Sequence, residues 1–191
     1  MARSDKDIIK ECKNGDTEAF KILINRYKKD AVNIAYQMVN DSQLAEDIAQ
    51  ESFIKVYKYI DNFREDSKFF TWLYKIILNL CRDHFRKLPD ENILSLEGVA
   101  FKGLLRKEVP DSFENPERYL KNQELQREIK ESLNTLSFKH RQVVVLKDLQ
   151  GFTYKEIADI LDIPLGTVKS RLNTARRRLQ KKLAQIKEEN I

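Results

Sequence analysis

Nowhere in this chain do about 18 apolar residues run together, so no membrane-spanning helix is expected. The first residues, MARSDKDIIKECKNGD, are charged from the start and lack the apolar core of a signal peptide. Glycine and proline are scarce, with five and four in 191 residues. Together with a charged fraction of 34%, that scarcity points to a soluble, mostly helical protein. The two cysteines, Cys12 and Cys81, match no metal-ligand spacing and fit a reducing cytosol. The two histidines, His84 and His140, stand far apart and alone. No Ser/His/Asp, Cys/His, Walker-type or zinc constellation is present, so neither an enzyme, a metal centre nor a cofactor is expected.

What the chain does have is positive charge in one place. The net charge is +5 and the pI about 9.1, which alone says little, because placement matters more than the total. From Leu165 to Lys187 there are eight Lys or Arg and no Asp or Glu. The stretch from 151 to 183 reads as two helices and a tight turn. Thr153-Tyr154-Lys155-Glu156 has the form of a capping box. Ile157, Ala158 and Leu161 would point inward, and Asp162-Ile163-Pro164 would end the first helix. Such turns favour Gly, and Asp162 stands where a left-handed backbone is needed; Asp tolerates that conformation better than most residues. The second helix would bury Leu165, Val168, Leu172, Ala175, Leu179, Leu183 and Ile186. Its opposite face would show Lys169, Ser170, Asn173, Thr174, Arg177 and Gln180. Groups able to read base edges come first and pure positive charge follows, as in the recognition helix of a helix-turn-helix. An ordinary amphipathic hairpin with a solvated basic face is the plainer reading; the cap, the small Ala158, the turn and the one-signed face together favour DNA.

Helical periodicity is almost continuous through the first 88 residues, with breaks at Gly15, at Asn40-Asp41-Ser42 and from Asp61 to Asp66. Residues 89 to 118 then hold three of the four prolines and two of the five glycines, with seven acidic and four basic residues. They read as a linker, longer than an ordinary loop in a compact domain. Helical patterning resumes near Tyr119. The expected fold is all-α: two small helical domains, 1–88 and 119–191, joined by a flexible linker, 89–118.

Within the first domain, Ser67 would cap a helix over residues 68–87, whose stripe of Phe70, Leu73, Ile77, Leu80 and Cys81 faces a core. A second stripe of Trp72, Lys75, Asn79, Arg82 and Arg86 suits a single strand, with bases stacking on the aromatic and phosphates meeting the cations. Trp72 taken alone reads more readily as partly buried core. The loop before it, Asp61-Asn62-Phe63-Arg64-Glu65-Asp66, is polar with one aromatic and would suit a flipped base. In the segment 44–60, Ala45, Ile48, Ala49, Ser52, Val56 and Ile60 form a face to bury. Asp47, Gln50, Glu51, Ile54 and Lys58 form another, fit to dock a partner helix or to be plain solvated surface. A carboxylate metal site at Asp47 and Glu51 lacks the rest of a ligand set.

Four stretches in order, NGDTEAFKILINRY, AEDIAQESFIKVYK, FREDSKFFTWLYKIILN and GFTYKEIADILDIPLGTVKSRLNTARRRL, resemble the bacterial RNA polymerase sigma factors of the extracytoplasmic-function (ECF) group of the sigma-70 family. The resemblance implies that residues 1–88 are a sigma-2 domain and residues 119–191 a sigma-4 domain. Asp47, Gln50, Glu51, Phe53 and Ile54 would bind the beta-prime clamp helices of core polymerase, and the beta flap would be a second contact. Phe63 and Asn79 would lie near a flipped base of the minus-10 element, with Lys75 and Arg82 on the backbone. Lys169, Ser170, Asn173 and Thr174 would lie near bases of the minus-35 duplex, with Arg171 and Arg176 on its backbone. Where the family often has Gly in the loop, this chain has Glu65. The resemblance also implies promoter DNA and an anti-sigma protein as partners and a cytoplasmic location. The alternative is a stand-alone helix-turn-helix regulator, which would need neither the Asp47-to-Ile54 face nor the aromatic-basic helix.

Overall fold

The computed structural model describes residues 3–64, 67–87, 127–129 and 131–189. Every regular element among them is helical: α1 (Asp5–Lys13), α2 (Thr17–Val39), α3 (Ser42–Tyr59), a 3-10 turn (Ile60–Asn62), α4 (Phe69–Lys87), α5 (Phe138–Val144), α6 (Tyr154–Leu161) and α7 (Leu165–Glu189). A single widened turn, Val145–Leu149, extends α5. The expected linker 89–118 and Glu65 lie outside the described residues.

Local chemistry sets most helix starts. The Ser4 hydroxyl accepts from the Asp7 amide at 3.2 Å, Asp16 accepts from Glu18 and Ala19, and Asp41 accepts from Leu44 at 2.9 Å. Each satisfies amides that have no partner within the helix. The predicted breaks are visible as positive φ: 87° at Gly15 and 57° at Asn40, which closes α2 in the left-handed region. One expected cap is corrected. Ser67 does not cap α4: its hydroxyl donates to the Arg64 carbonyl at 3.2 Å, and the helix opens one residue later, with Lys68 accepting from Thr71 and Trp72.

Helices α1 to α4 form the N-terminal bundle. All six residues predicted for the inner face of segment 44–60 are buried, five on α3 and Ile60 in the turn after it; they include Ser52, whose hydroxyl donates to the Ala49 carbonyl at 2.6 Å. Leu23, Ile34, Met38, Leu73 and Ile77 are fully enclosed, each contributing about 1.5–3 kcal/mol by burial. Cys12 and Cys81 are both buried there as free thiols, and burial pushes the Cys81 thiol up to about 12. In the C-terminal bundle α7 packs along α5 and α6 through Val168, Leu172 and Ala175.

The two bundles are in contact. Phe152 lies against Phe70 and Tyr74, with ring centroids 5.2 and 5.4 Å away, and Phe138 lies 5.1 Å from Phe85. Gln150 bridges to Tyr74 at 3.4 Å and to Gln37 at 3.3 Å. Lys68 reaches Glu156 at 3.0 Å. Arg141, 5% exposed, donates to the carbonyls of Leu133, Asn134 and Leu136 in its own bundle and to Met38 at the end of α2 at 2.7 Å. Burial pushes its guanidinium down to about 10, and its hydrogen-bond partners are all carbonyls.

Candidate nucleic-acid interface

The helix pair is assembled as its sequence dictates. Glu156 donates its amide to the Thr153 hydroxyl at 3.2 Å, and its carboxylate accepts the Thr153 amide at 2.9 Å, a complete capping box. Those bonds, with Lys68 beside it, hold the Glu156 carboxyl down at about 2. Asp162 closes α6 at φ 54°, ψ 52°, the left-handed conformation inferred for it. Ile160 joins Ile157 in the core, a position that helical spacing from Ile157 would have revealed.

On α7, Lys169, Ser170, Asn173, Thr174 and Arg177 are exposed on one side, opposite buried Val168, Leu172 and Ala175. Three members of the predicted inner stripe depart from full burial. Leu165 is 45% exposed, because it sits in the first turn, ahead of the point where α7 meets its neighbours. Leu179 and Leu183 are half-buried, and the side chain of Ile186 lies outside the described residues.

The arginines differ among themselves. Arg176 is exposed but engaged: its guanidinium forks onto Asp148, Nε donating at 3.1 Å and Nη2 to the other carboxylate oxygen. Arg171 is half-buried toward α5, where its charge, with those of Arg178 and Lys139, adds to burial in lowering the His140 pKa. The Asp148 pairing carried no sequence signal, because the acid stands 28 residues from its partner in an apolar run.

On α4 the second stripe turns outward in degrees. Arg82 is exposed and donates to the Asn79 side chain at 2.9 Å, while Trp72, Lys75 and Asn79 are half-buried. Arg64 is exposed. Phe63 is different from its expected place in an open loop. It is 5% exposed, with its ring 5.2 Å from Trp72 and 6.0 Å from Phe69, and its carbonyl accepts from Lys13 Nζ at 2.8 Å. The ring closes the end of the N-terminal core, where burial outweighs exposure to a polar loop. A shallow cavity of about 330 Å³ lies beside it, lined in part by Tyr27, Phe63, Ser67 and Phe70.

On α3, Asp47, Gln50, Glu51 and Lys58 are exposed, and Ile54 stands 67% exposed among them. Glu51 pairs with Lys55 at 3.4 Å along the helix. Phe53, expected on this surface, points the other way: it is 6% exposed and belongs to the core. Its place one residue before Ile54 turns it about 100° around the helix, onto the buried side.

An exposed basic helix after a tight turn, and a bundle presenting an aromatic-basic helix, define a two-part DNA-binding protein. Residues 23–89 match the model of sigma-70 region 2, and residues 126–179 match that of sigma-70 region 4. The chain is 37% identical over 182 residues to the ECF RNA polymerase sigma factor SigW of Bacillus subtilis, covering 95% of this chain and 97% of that protein. It is 32% identical over 183 residues to the RNA polymerase sigma-H factor of Pseudomonas aeruginosa, covering 94% and 93%. Among solved structures it is similar to the sigma factor RpoE in complex with the anti-sigma factor NepR from Bartonella quintana, with TM-score 0.67 and 25% identity over 88% of this chain and 98% of that one. The fold is also that of CnrH in complex with the cytosolic domain of CnrY, with TM-score 0.69 and 22% identity over 96% and 99%. The chain belongs to the ECF RNA polymerase sigma factors of the sigma-70 family. It directs RNA polymerase to promoters.

Proposed function

We propose a division of labour among three surfaces. The exposed face of α7 reads the minus-35 duplex, with Lys169, Ser170, Asn173 and Thr174 at the bases and Arg171, Arg176 and Arg177 toward phosphates. The face of α4 formed by Trp72, Lys75, Asn79 and Arg82, with Arg64 before it, holds the opened minus-10 strand, and the buried Phe63 ring supports Trp72 from behind. Asp47, Gln50, Glu51 and Ile54 on α3 dock the polymerase clamp helices. In this reading residues 1–88 act as the sigma-2 part, 89–118 as a linker and 119–191 as the sigma-4 part, and the beta flap is a second polymerase contact. The protein carries out no bond chemistry; its free energy goes into positioning polymerase and trapping unpaired bases. It works in the cytoplasm, and the likeness to a sigma factor solved with an anti-sigma factor supports a partner of that kind here.

The observation that carries this reading is Ile54, exposed within an acidic-polar helix face. A bare isoleucine ringed by charge is the anatomy of a docking surface, apolar at the centre and polar at the rim. A stand-alone regulator has no use for it. Added to core RNA polymerase, the protein gives transcripts that start at a promoter, and a combined change of Asp47, Gln50 and Glu51 to Ala abolishes them while duplex binding by α7 persists. Unchanged initiation by that variant would sink the assignment. Lys169→Ala is expected to cost about 1–3 kcal/mol of specific binding and to relax preference at one base pair. An equal loss on every sequence, measured by titration of duplexes, would make Lys169 a phosphate contact.

A further inference from the structure

Between Leu165 and Lys187 the chain places no Asp or Glu, yet an acid lies against the middle of that helix. It is Asp148, brought in from 28 residues away by the widened turn that extends α5. The Gln150 amide donates to the Val145 carbonyl at 3.0 Å, and this wider hydrogen-bonded ring defines the turn. The turn is also fixed against the start of α6: the Phe152 amide donates to the Leu146 carbonyl at 3.0 Å, and Lys147 Nζ donates to the Phe152 carbonyl at 3.1 Å. Lys147 stands over the Tyr154 ring as well, 5.2 Å from its centroid. Asp148 is therefore carried on a backbone that is bonded on both sides. Single turns of this kind gather at functional sites. The Asp148 carboxylate takes the Nε and Nη2 side of the Arg176 guanidinium. The pair is open to water, with Arg176 and Asp148 side chains 48% and 33% exposed, so it adds little to stability. An acid beside a DNA-reading helix also repels phosphates. Neither stability nor charge accounts for the pair, which leaves its geometry.

We propose that Asp148 is a positioning residue for DNA reading: it holds Arg176 side-on, so that the other edge of the guanidinium meets one phosphate of the duplex and fixes how α7 is seated. The inference rests on the minus-35 reading above. Nε and one hydrogen of Nη2 are committed to the acid, which leaves Nη1 and the other hydrogen of Nη2 directed away from it. Those donors form the end-on fork that suits a phosphate. Asp148 first, and Tyr154 after it, keep the guanidinium charged. Arg176 follows Lys169 by seven residues, which returns it to nearly the same side of α7, about 10 Å along the helix. A cation fixed at that point pins the helix to the backbone, and Lys169 then arrives at one base pair. Phosphate contacts set register in this way without reading sequence themselves. An unheld Arg176 would still be drawn to DNA, because charge alone attracts at every position. Its long side chain would choose among many rotamers, however, and no single phosphate would be selected.

The test separates register from charge. Holoenzyme is formed from core polymerase and the full chain. The probes are a promoter fragment that this holoenzyme selects from a pool randomised in the upstream element, and the same fragment with that element scrambled. Asp148→Ala is expected to weaken binding to the selected fragment about tenfold and to leave the scrambled one bound equally or more tightly. Arg176→Lys keeps the charge and loses the fork; the residue is exposed, so the fold persists, and the variant is expected to show the same loss of preference. In an Arg176→Ala background, Asp148→Ala is expected to cost nothing further on the selected fragment. Tighter binding of both fragments by Asp148→Ala would make the acid a plain electrostatic brake and overturn the proposal. An equal loss on both would reduce it to a structural prop and overturn the proposal too, and an unchanged preference in Arg176→Lys counts against it as well. If holoenzyme with the unaltered protein selects no upstream element, the minus-35 reading fails instead, so the two failures are distinguishable.

Discussion

Asp162 and Glu156 stand six residues apart, and both do what their neighbours in sequence require. Asp162 takes a left-handed conformation that costs most residues about 1–2 kcal/mol and costs Asp less. Glu156 closes a capping box and meets Lys68. Its carboxyl is held at about 2, below its ordinary 4.5, chiefly by the Thr153 amide. A lowered folded-state pKa means stability fully present above about 4.5 and lost as pH falls toward 2. Chemical denaturation of the protein and of Glu156→Gln is expected to differ at pH 6 and to converge near pH 2; a gap that stays constant would remove the carboxylate from the account. The cap and the turn were legible because their chemistry is decided within four residues; the Lys68 contact, 88 residues away, was not. Phe63 and Phe53 were not, because whether a ring faces a core or a partner depends on what folds beside it.

Helix α4 shows where a one-dimensional pattern stops. Its stripe of Phe70, Leu73, Ile77, Leu80 and Cys81 was readable from spacing, and all but Phe70, half-buried against Phe152, are buried. Tyr74 and Leu78 are buried as well, on a flank the pattern did not mark. The helix lies between α2 and α3 on one side and the C-terminal bundle on another, so a wider arc is covered than one amphipathic stripe describes. Helix α3 is simpler, with its five predicted inner residues inside and Ile54 out. The difference sets a contrast in cost. Leu73→Ala is expected to lose about 2–5 kcal/mol of stability through the cavity it leaves, read as a shift of the denaturant midpoint. A loss below 1 kcal/mol would mean that α4 is not the centre of this core.

At the scale of the molecule, the two helical bundles were foreseeable and their contact was not. Arg141 reaches Met38 across 103 residues of sequence and Gln150 reaches Gln37 across 113. Nothing in a basic residue before an apolar run says that it will end up enclosed by carbonyls. The exposed basic side of α7 was more legible, because a helix that keeps one charge sign on one face declares that face without reference to the rest of the chain. The buried thiols give this molecule a further property. Cys81 is fully enclosed, its thiolate is disfavoured until about pH 12, and only thiolates attack maleimides and disulfide reagents at useful rates. It therefore reacts only when the N-terminal bundle itself opens. Timed alkylation followed by mass spectrometry is expected to show Cys81 labelling slowly, at a rate that rises with denaturant. Rapid labelling in native buffer would contradict its burial. The same thiol is therefore a clock for the melting of this core: a chain that keeps its fold stays dark to the reagent, and a chain that melts does not.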